Sequence, residues 1–334
     1  MKGEILKKLR EACSQYVSGE QLSDMLGVTR TSIWKYIKEL KSEGYIIDSS
    51  SKKGYALVSI PDVVSPWEIK YGLNTEMIGK DIRYFAQIDS TNNYAKKIAQ
   101  EGCSNGTVVT ADCQTIGRGR LGRAWDSSDK KGVWMSVVLR PEISIEEVQT
   151  ITLAASVAVV DAIKETIGVQ AGIKWPNDII LDGKKVCGIL TEMNLEMERV
   201  NYLVLGIGLN VNQDKLDFPE DLREKAVSLK GYLIDNSLNN FELRRSQLIK
   251  SILSNLEKIY YKIEKAAVDE IIQDWKKYSV TLGKEVSISF RDGQYIGTAC
   301  DITKDGKLVV ECQDGITREV LSGEVSVRGF LGYV

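Results

Sequence analysis

The chain has no histidine in 334 residues. That absence excludes Ser-His-Asp and Cys-His hydrolysis in their usual forms, histidine metal sites and histidine acid–base chemistry. Any chemistry must run through Lys, Arg, Asp, Glu and backbone donors. Cationic clamps on a phosphorus centre, with a divalent ion, are one reaction type that needs no imidazole. The six cysteines (Cys13, Cys103, Cys113, Cys187, Cys300, Cys312) contain no CxxC pair. That spacing supports neither a disulfide framework nor a zinc site and predicts reduced, buried thiols. Formal net charge is only −2, so no global attraction to nucleic acid is implied. No apolar run approaches membrane-spanning length, and the opening residues, MKGEILKKLREAC, are amphipathic and charged rather than signal-like. The chain also lacks internal repeats and low-complexity tracts. A cytoplasmic protein of two or three domains is expected, with no membrane partner.

What is present starts with Gly117-Arg118-Gly119-Arg120-Leu121-Gly122-Arg123-Ala124-Trp125. Glycine is entropically costly to order, and three in six positions imply a loop that moves. Arginine forks match phosphate or carboxylate oxygens in two-point contacts. Together they read as a loop that closes on an anion; the bland alternatives are a basic surface loop or an arginine-glycine tract for RNA. No Gly-Lys-Ser/Thr follows, so this is not a Walker loop.

A second run extends from Lys174-Trp175-Pro176-Asn177-Asp178 through Leu181-Asp182-Gly183-Lys184-Lys185-Val186-Cys187-Gly188 to Glu192. Asp182-Gly183 between apolar segments predicts a hairpin pairing 178–181 with 186–192, with Lys185 just past the turn. Gly188 would let another group approach the returning strand. A third run, Val204-Leu205-Gly206-Ile207-Gly208-Leu209-Asn210, reads as a buried strand interrupted by two glycines. These are either bulges and packing concessions or the floor on which a ligand lies flat.

The first sixty residues form a separate module. Ile5, Leu6, Leu9 and Cys13 give one helix its apolar stripe. Ser18 with Gln21 makes a capping box for a second helix carrying Leu22, Met25 and Leu26. Thr29 caps a third helix with Ile33, Ile37 and Leu40 inward. Its outward residues Arg30, Thr31, Ser32, Lys35 and Lys38 are of the types that touch phosphates and base edges, as a helix-turn-helix requires. A hairpin from Tyr45 to Leu57 would be the wing. This module carries +3 against −5 for the remainder, the sign expected for DNA. A three-helix module that binds protein is the alternative. Pro61 to Pro66 reads as a linker.

Beyond it the pattern predicts strand 82–88, helix 91–101, strands 107–113 and 133–139, and a long helix near 146–167. The hairpin, strand 201–212 and helices between 241 and 278 complete an α+β sheet layered by helices. From Leu282, turn signals at Asp292-Gly293, Asp305-Gly306 and Asp314-Gly315 between short strands predict a small barrel.

The three runs, with Asp89-Ser90-Thr91-Asn92 and Gln114 upstream, closely resemble the biotin protein ligases. The match is to the two-function type that also represses the biotin synthesis operon. GRGRxGRxW, KWPND and GxGxN occur in the family's order, and the likeness covers nearly the whole chain. It implies a multidomain α+β chain: winged helix-turn-helix (1–64), a mixed α/β sheet catalytic domain (65–279) and an SH3-like β-barrel (280–334). It also implies ATP and Mg²⁺ as cofactors, biotin as substrate, a biotin carboxyl carrier domain and operator DNA as partners, and a homodimer. Lys185, Arg118 and Arg120 would be catalytic. Ser90, Thr91, Asn92, Gln114, Gly119, Gly188, Gly206 and Gly208 would join them around biotin. Arg123, Trp125, Asn177, Asp178 and Asn210 would face the nucleotide; Trp125 serves equally as an anchor for the closed loop, and Asp178 equally as a turn carboxylate. Thr29, Arg30, Thr31, Ser32, Lys35 and Lys38 would meet DNA. The dimer surface would include 117–125, Glu142 to Glu146 or Met193 to Arg199. A lipoate-type ligase and a non-catalytic, ligand-sensing repressor are the alternatives.

Overall fold

The structure, a computed structural model, describes residues 1–145, 147–196, 199–238, 243–265, 267–289 and 293–322, with the backbone of 326–329. The chain forms two compact units, Met1–Gly72 and Leu73–Val334.

In the first unit, α1 (Lys2–Glu11), α2 (Gly19–Leu26) and α3 (Arg30–Ser42) precede a hairpin of β1 (Ile46–Ser50) and β2 (Gly54–Ser59). Ser18 Oγ accepts from Gln21 N at 3.0 Å while Ser18 N donates to Gln21 Oε1 at 3.0 Å, so both expected halves of the capping box form. Ile5, Leu6, Leu9, Leu22, Ile33, Ile37 and Leu40 close the core. Two side chains expected to point inward do not. Cys13 lies past the end of α1, exposed, where the chain turns through positive φ. Met25 is 44% exposed, because Leu22 and Leu26 already supply α2's apolar contacts. The segment read as a linker runs into α4 (Pro66–Lys70). Its buried Glu68 accepts from Tyr45 Oη at 2.5 Å and pairs with Arg10, and Trp67 Nε1 donates to Tyr45 Oη at 3.1 Å. A buried carboxylate requires such partners, and they hold 66–70 to this unit, which extends to Gly72.

The second unit is built on a seven-stranded sheet in the order β3-β4-β5-β9-β8-β7-β6. Its strands are β3 (Ile82–Ile88), β4 (Val108–Gln114), β5 (Gly132–Leu139), β6 (Gly172–Lys174), β7 (Asp178–Leu181), β8 (Lys184–Glu196) and β9 (Arg199–Asn210). Only β3 and β4 pair in parallel. The helix α5 (Thr91–Gln100) packs on β4, β5 and β9. Opposite it lie α6 (Val148–Ile167), α8 (Arg245–Glu264) and α9 (Val268–Tyr278), with the short α7 (Leu229–Asp235) after the sheet. The two faces separate by strand parity: Thr191 Oγ1 meets Thr152 Oγ1 of α6 at 2.7 Å, whereas its neighbour Glu192 meets α5. Asp112 of β4 and Arg245 of α8 form a fully buried ion pair at 2.9 Å, to which Tyr84 Oη adds a hydrogen bond at 2.8 Å.

The terminal strands β10 (Glu285–Ser289), β11 (Gln294–Ile302), β12 (Leu308–Cys312), β13 (Thr317–Val320) and β14 (Ser326–Gly329) form an antiparallel five-stranded sheet, the small β element expected there. Trp175 ties it to the seven-stranded sheet, donating from N to Thr281 Oγ1 at 2.9 Å and from Nε1 to the Gly306 carbonyl at 3.1 Å. Asp292 of the first expected turn lies outside the described residues. The thiols are only partly as expected: Cys187 and Cys312 are buried, but Cys13 and Cys300 are exposed.

Candidate active site

The site begins where β3 hands over to α5. Ser90 is the buried N-cap residue, and Thr91 and Asn92 open the helix with their side chains buried. Gln114, at the end of β4, accepts through Oε1 from Thr91 N at 2.8 Å and from Thr91 Oγ1 at 2.9 Å. Its Nε2 donates to Ser127 Oγ at 2.7 Å. Ser136, the one hydroxyl in the apolar strand β5, donates to Asn92 Oδ1 at 2.5 Å and lies 2.8 Å from Thr91 Oγ1. Asn92 Nδ2 donates to Glu192 Oε2 at 2.8 Å, and Lys96 Nζ meets Glu192 Oε1 at 2.7 Å. Hydroxyls and amides of α5, β4 and β5 thus end in one carboxylate on β8. Burial opposes the ionisation of Glu192, but the bonds from Lys96 and Asn92 outweigh it and hold its carboxyl below the ordinary range.

The floor beside this network consists of glycines. Gly188 faces Gly208 across β8 and β9, and Gly206 is two residues along. A Cβ on Gly206 would collide with Asn92 Oδ1, and one on Gly208 would lie 2.5 Å from Trp125 Nε1. The floor glycines are therefore required by what rests on them.

Trp125 closes a folded loop. Arg118 bridges to Ala124, Gly119 N donates to the Arg123 carbonyl at 2.7 Å, and Trp125 N donates to the Gly117 carbonyl at 2.9 Å. Arg120 Nη1 donates to Asn177 Oδ1 at 3.2 Å, and Nη2 donates to the Ser322 carbonyl of the terminal segment. The loop expected to move is thus folded against the sheet, because an indole and a guanidinium supply the contacts that its glycines cannot. Desolvation lowers the proton affinity of Arg120, with Asp178 opposing. The hydrogen bond from Asn93 holds the Asp89 carboxyl below its ordinary range, and Arg118 adds a smaller pull on both Asp89 and Glu192. Arg123 is exposed.

The KWPND turn brings the reactive-looking cation to the same floor. Asp182 and Gly183 both adopt positive φ, as their hairpin requires. Lys185 follows on β8, its N bonded to the Lys225 carbonyl at 2.8 Å. Its Nζ lies 2.5 Å from Asp178 Oδ1 and 5.1 Å from the centre of the Trp125 ring. Trp125 Nε1 is buried with no hydrogen-bond partner among the described residues, an indole donor facing the floor.

Most residues singled out in the sequence therefore converge here. Asn210 is held apart: its amide accepts from Gln213 Nε2 at 3.0 Å and donates to the Val227 carbonyl at 3.4 Å, pinning the chain after β9. Lys96, Ser127, Ser136 and Glu192 were not singled out. Ser136 carried a signal, a lone hydroxyl in an all-apolar strand; Glu192 did not, since its partners are about a hundred residues away. Among the described residues, no group of three or more carboxylate, thiol or imidazole side chains could hold a metal ion.

In the first unit, Arg30, Thr31, Lys35 and Lys38 are exposed on α3. Thr29 and Ser32 are occupied with capping: Thr29 Oγ1 accepts from Ser32 N at 3.2 Å and meets Ser32 Oγ at 3.0 Å. Arg30 pairs with Glu20 at 2.7 Å, and Lys38 Nζ lies 5.4 Å from the exposed Trp34 ring. Of the expected dimer surfaces, Glu146, Met197 and Glu198 lie outside the described residues. Among the described residues, no helix is long and apolar enough to cross a membrane.

A mixed sheet with a glycine floor, a hairpin lysine and an arginine-glycine loop defines the biotin/lipoate type of protein ligase. The model of the biotin/lipoate A/B protein ligase family matches residues 84–210. An HTH domain model matches 3–56, and the biotin protein ligase C-terminal domain matches 281–328. The bifunctional ligase/repressor BirA of Bacillus subtilis is 38% identical over 98% of both chains. That of Escherichia coli is 27% identical over 95% of this chain and 94% of its own. The structure of biotin protein ligase from Aquifex aeolicus in complex with biotin and ATP is similar at TM-score 0.63 and 28% identity, over 75% of this chain and 99% of that one. The chain belongs to the family of bifunctional biotin protein ligase/repressors.

Proposed function

We propose that this protein joins biotin to a lysine of a biotin carboxyl carrier domain through biotinyl-5′-adenylate, and that it represses biotin synthesis genes in response to the same ligand. The observation that carries the enzymatic half is Lys185, held by Asp178 at 2.5 Å beside the glycine floor and under Trp125.

In the first half-reaction a biotin carboxylate oxygen attacks the α-phosphorus of ATP. The bond to the bridging oxygen breaks and pyrophosphate leaves. Negative charge develops on the α-phosphate oxygens, and Lys185 with Arg118 and Arg120 stabilises it. The buried head of biotin needs matched donors and acceptors, supplied by Ser90, Thr91, Asn92 and Gln114 over Gly119, Gly188, Gly206 and Gly208. Trp125 Nε1, without a partner among the described residues, offers one more donor to an oxygen of the ligand. Arg123, Asn177 and Asp178 would serve the nucleotide side, whereas Asn210, its amide bonded to Gln213 and Val227, would act there only by holding the chain after β9. In the second half-reaction the acceptor lysine amine attacks the mixed-anhydride carbonyl, loses a proton and releases AMP. Mg²⁺ would arrive on the ATP phosphates, as magnesium commonly does.

For repression, Arg30, Thr31, Lys35 and Lys38 of α3 meet the major groove. Helix-turn-helix modules gain specificity by pairing on half-sites, and the pairing surface lies in the catalytic domain, among 117–125, 142–146 and 193–199. Incubation with biotin, ATP and a carrier domain tests the enzymatic reading. Mass spectrometry should find one lysine heavier by a biotinyl group only when both substrates are present; no transfer would refute it.

A further inference from the structure

Glu192 belongs to none of the groups assigned above, yet every polar contact of Asn92 depends on its direction. A carboxylate can only accept hydrogen bonds, so Asn92 must turn its Nδ2 toward Glu192 (2.8 Å). That leaves Oδ1 facing Ser136, whose single proton it takes at 2.5 Å. Ser136 Oγ also lies 2.8 Å from Thr91 Oγ1, and the Thr91 hydroxyl donates to Gln114 Oε1 at 2.9 Å. Thr91 N donates to the same oxygen at 2.8 Å, which leaves Gln114 Nε2 for Ser127 at 2.7 Å. Lys96, on the next turn of α5, fixes the other carboxylate oxygen at 2.7 Å. Reversing the Asn92 amide would place Nδ2 against Ser136, send the Ser136 proton to Thr91 Oγ1, and change what the pocket offers a ligand at Asn92 and Ser136.

We propose that Glu192 is a positioning residue for biotin. Its Lys96-anchored carboxylate fixes the amide of Asn92 and thereby sets the donor–acceptor pattern read by the ligand's cyclic urea. The inference rests on the reading of this face as the biotin site. Neither Glu192 nor Lys96 touches the reacting atoms; their effect falls on ligand recognition.

The test measures steady-state adenylation by wild type, Asn92→Ala, Glu192→Gln and the double variant. A glutamine can donate as well as accept, so Glu192→Gln permits either amide orientation in nearly the same shape. The expected result is a KM for biotin raised about tenfold, the scale of one charge-assisted hydrogen bond. The kcat and the KM for ATP should stay within about twofold. Because Glu192 acts through Asn92, the double variant should bind biotin no more weakly than Asn92→Ala alone. An unchanged biotin KM in Glu192→Gln, or additive losses in the double variant, would overturn the proposal while leaving the biotin site intact. An unchanged KM in Asn92→Ala would instead remove the site reading and this inference with it. If Glu192→Gln does not fold, Lys96→Met takes its place. A smaller rise in biotin KM, again absent in the Asn92→Ala background, supports the proposal, and an unchanged KM overturns it.

Discussion

Lys185 Nζ lies 2.5 Å from Asp178 Oδ1, across the hairpin that Asp182 and Gly183 turn. The pair is only partly exposed, at 24% and 18% of the two side chains, so the carboxylate fixes the direction of a flexible lysine stem. A charge-assisted contact realised chiefly in the transition state contributes roughly 1.5–3 kcal/mol. Lys185→Ala should therefore slow biotin-dependent pyrophosphate release by about 10–100-fold. Asp178→Asn should slow it less and add little once Lys185 is gone. A Lys185→Ala enzyme that adenylates at the wild-type rate would remove the lysine from the mechanism.

The glycine floor should tolerate no side chain under the loop. Gly208→Ala puts a methyl 2.5 Å from Trp125 Nε1, so the indole must lift. The expected outcome is weaker biotin binding by calorimetry, with the fold retained by circular dichroism. Trp125→Ala should relieve the clash and recover part of the loss in the double variant. Unaltered affinity in Gly208→Ala would show that the ligand does not use this floor.

How much of this was legible in the sequence depends on the distance over which each signal acts. The hairpin of β7 and β8, the capping box at Ser18 and the strand–helix order were readable because turns, caps and periodicity are local. The convergence of the GRGRxGRxW, KWPND and GxGxN runs was readable only through their order and family resemblance. Arg120 reaching the Ser322 carbonyl, Glu68 held by Arg10 and Tyr45, and Glu192 bonding Asn92 were not readable, since each joins residues that only the tertiary fold brings together. The expected mobility of the loop followed from its glycines; its packing follows from Trp125 and Arg120.

The Asp112–Arg245 pair supports the opposite side of the same sheet. Both side chains are fully buried, and removal of one strands a charge in the core. Arg245→Met should lower the stability of the catalytic unit by about 3–5 kcal/mol, read by urea denaturation. A loss below about 1 kcal/mol would mean that Asp112 is satisfied by Tyr84 and solvent instead.

Two predictions concern DNA. Lys35→Ala and Lys38→Ala should each weaken binding to a palindromic operator and reduce the slope of log affinity against log salt by about one. Biotinyl-adenylate should strengthen the dimer, and with it the operator complex, by about 1–3 kcal/mol of coupling, measured by sedimentation and fluorescence anisotropy. A monomer–dimer equilibrium indifferent to adenylate would remove the switch and leave the ligase.

Pyrophosphate release by the full-length protein tests the central claim most directly. With ATP alone, with ATP and biotin, and with ATP and lipoate, the account predicts release that requires biotin and is lost in Lys185→Ala. Release with lipoate but not biotin, or none with either, would contradict it.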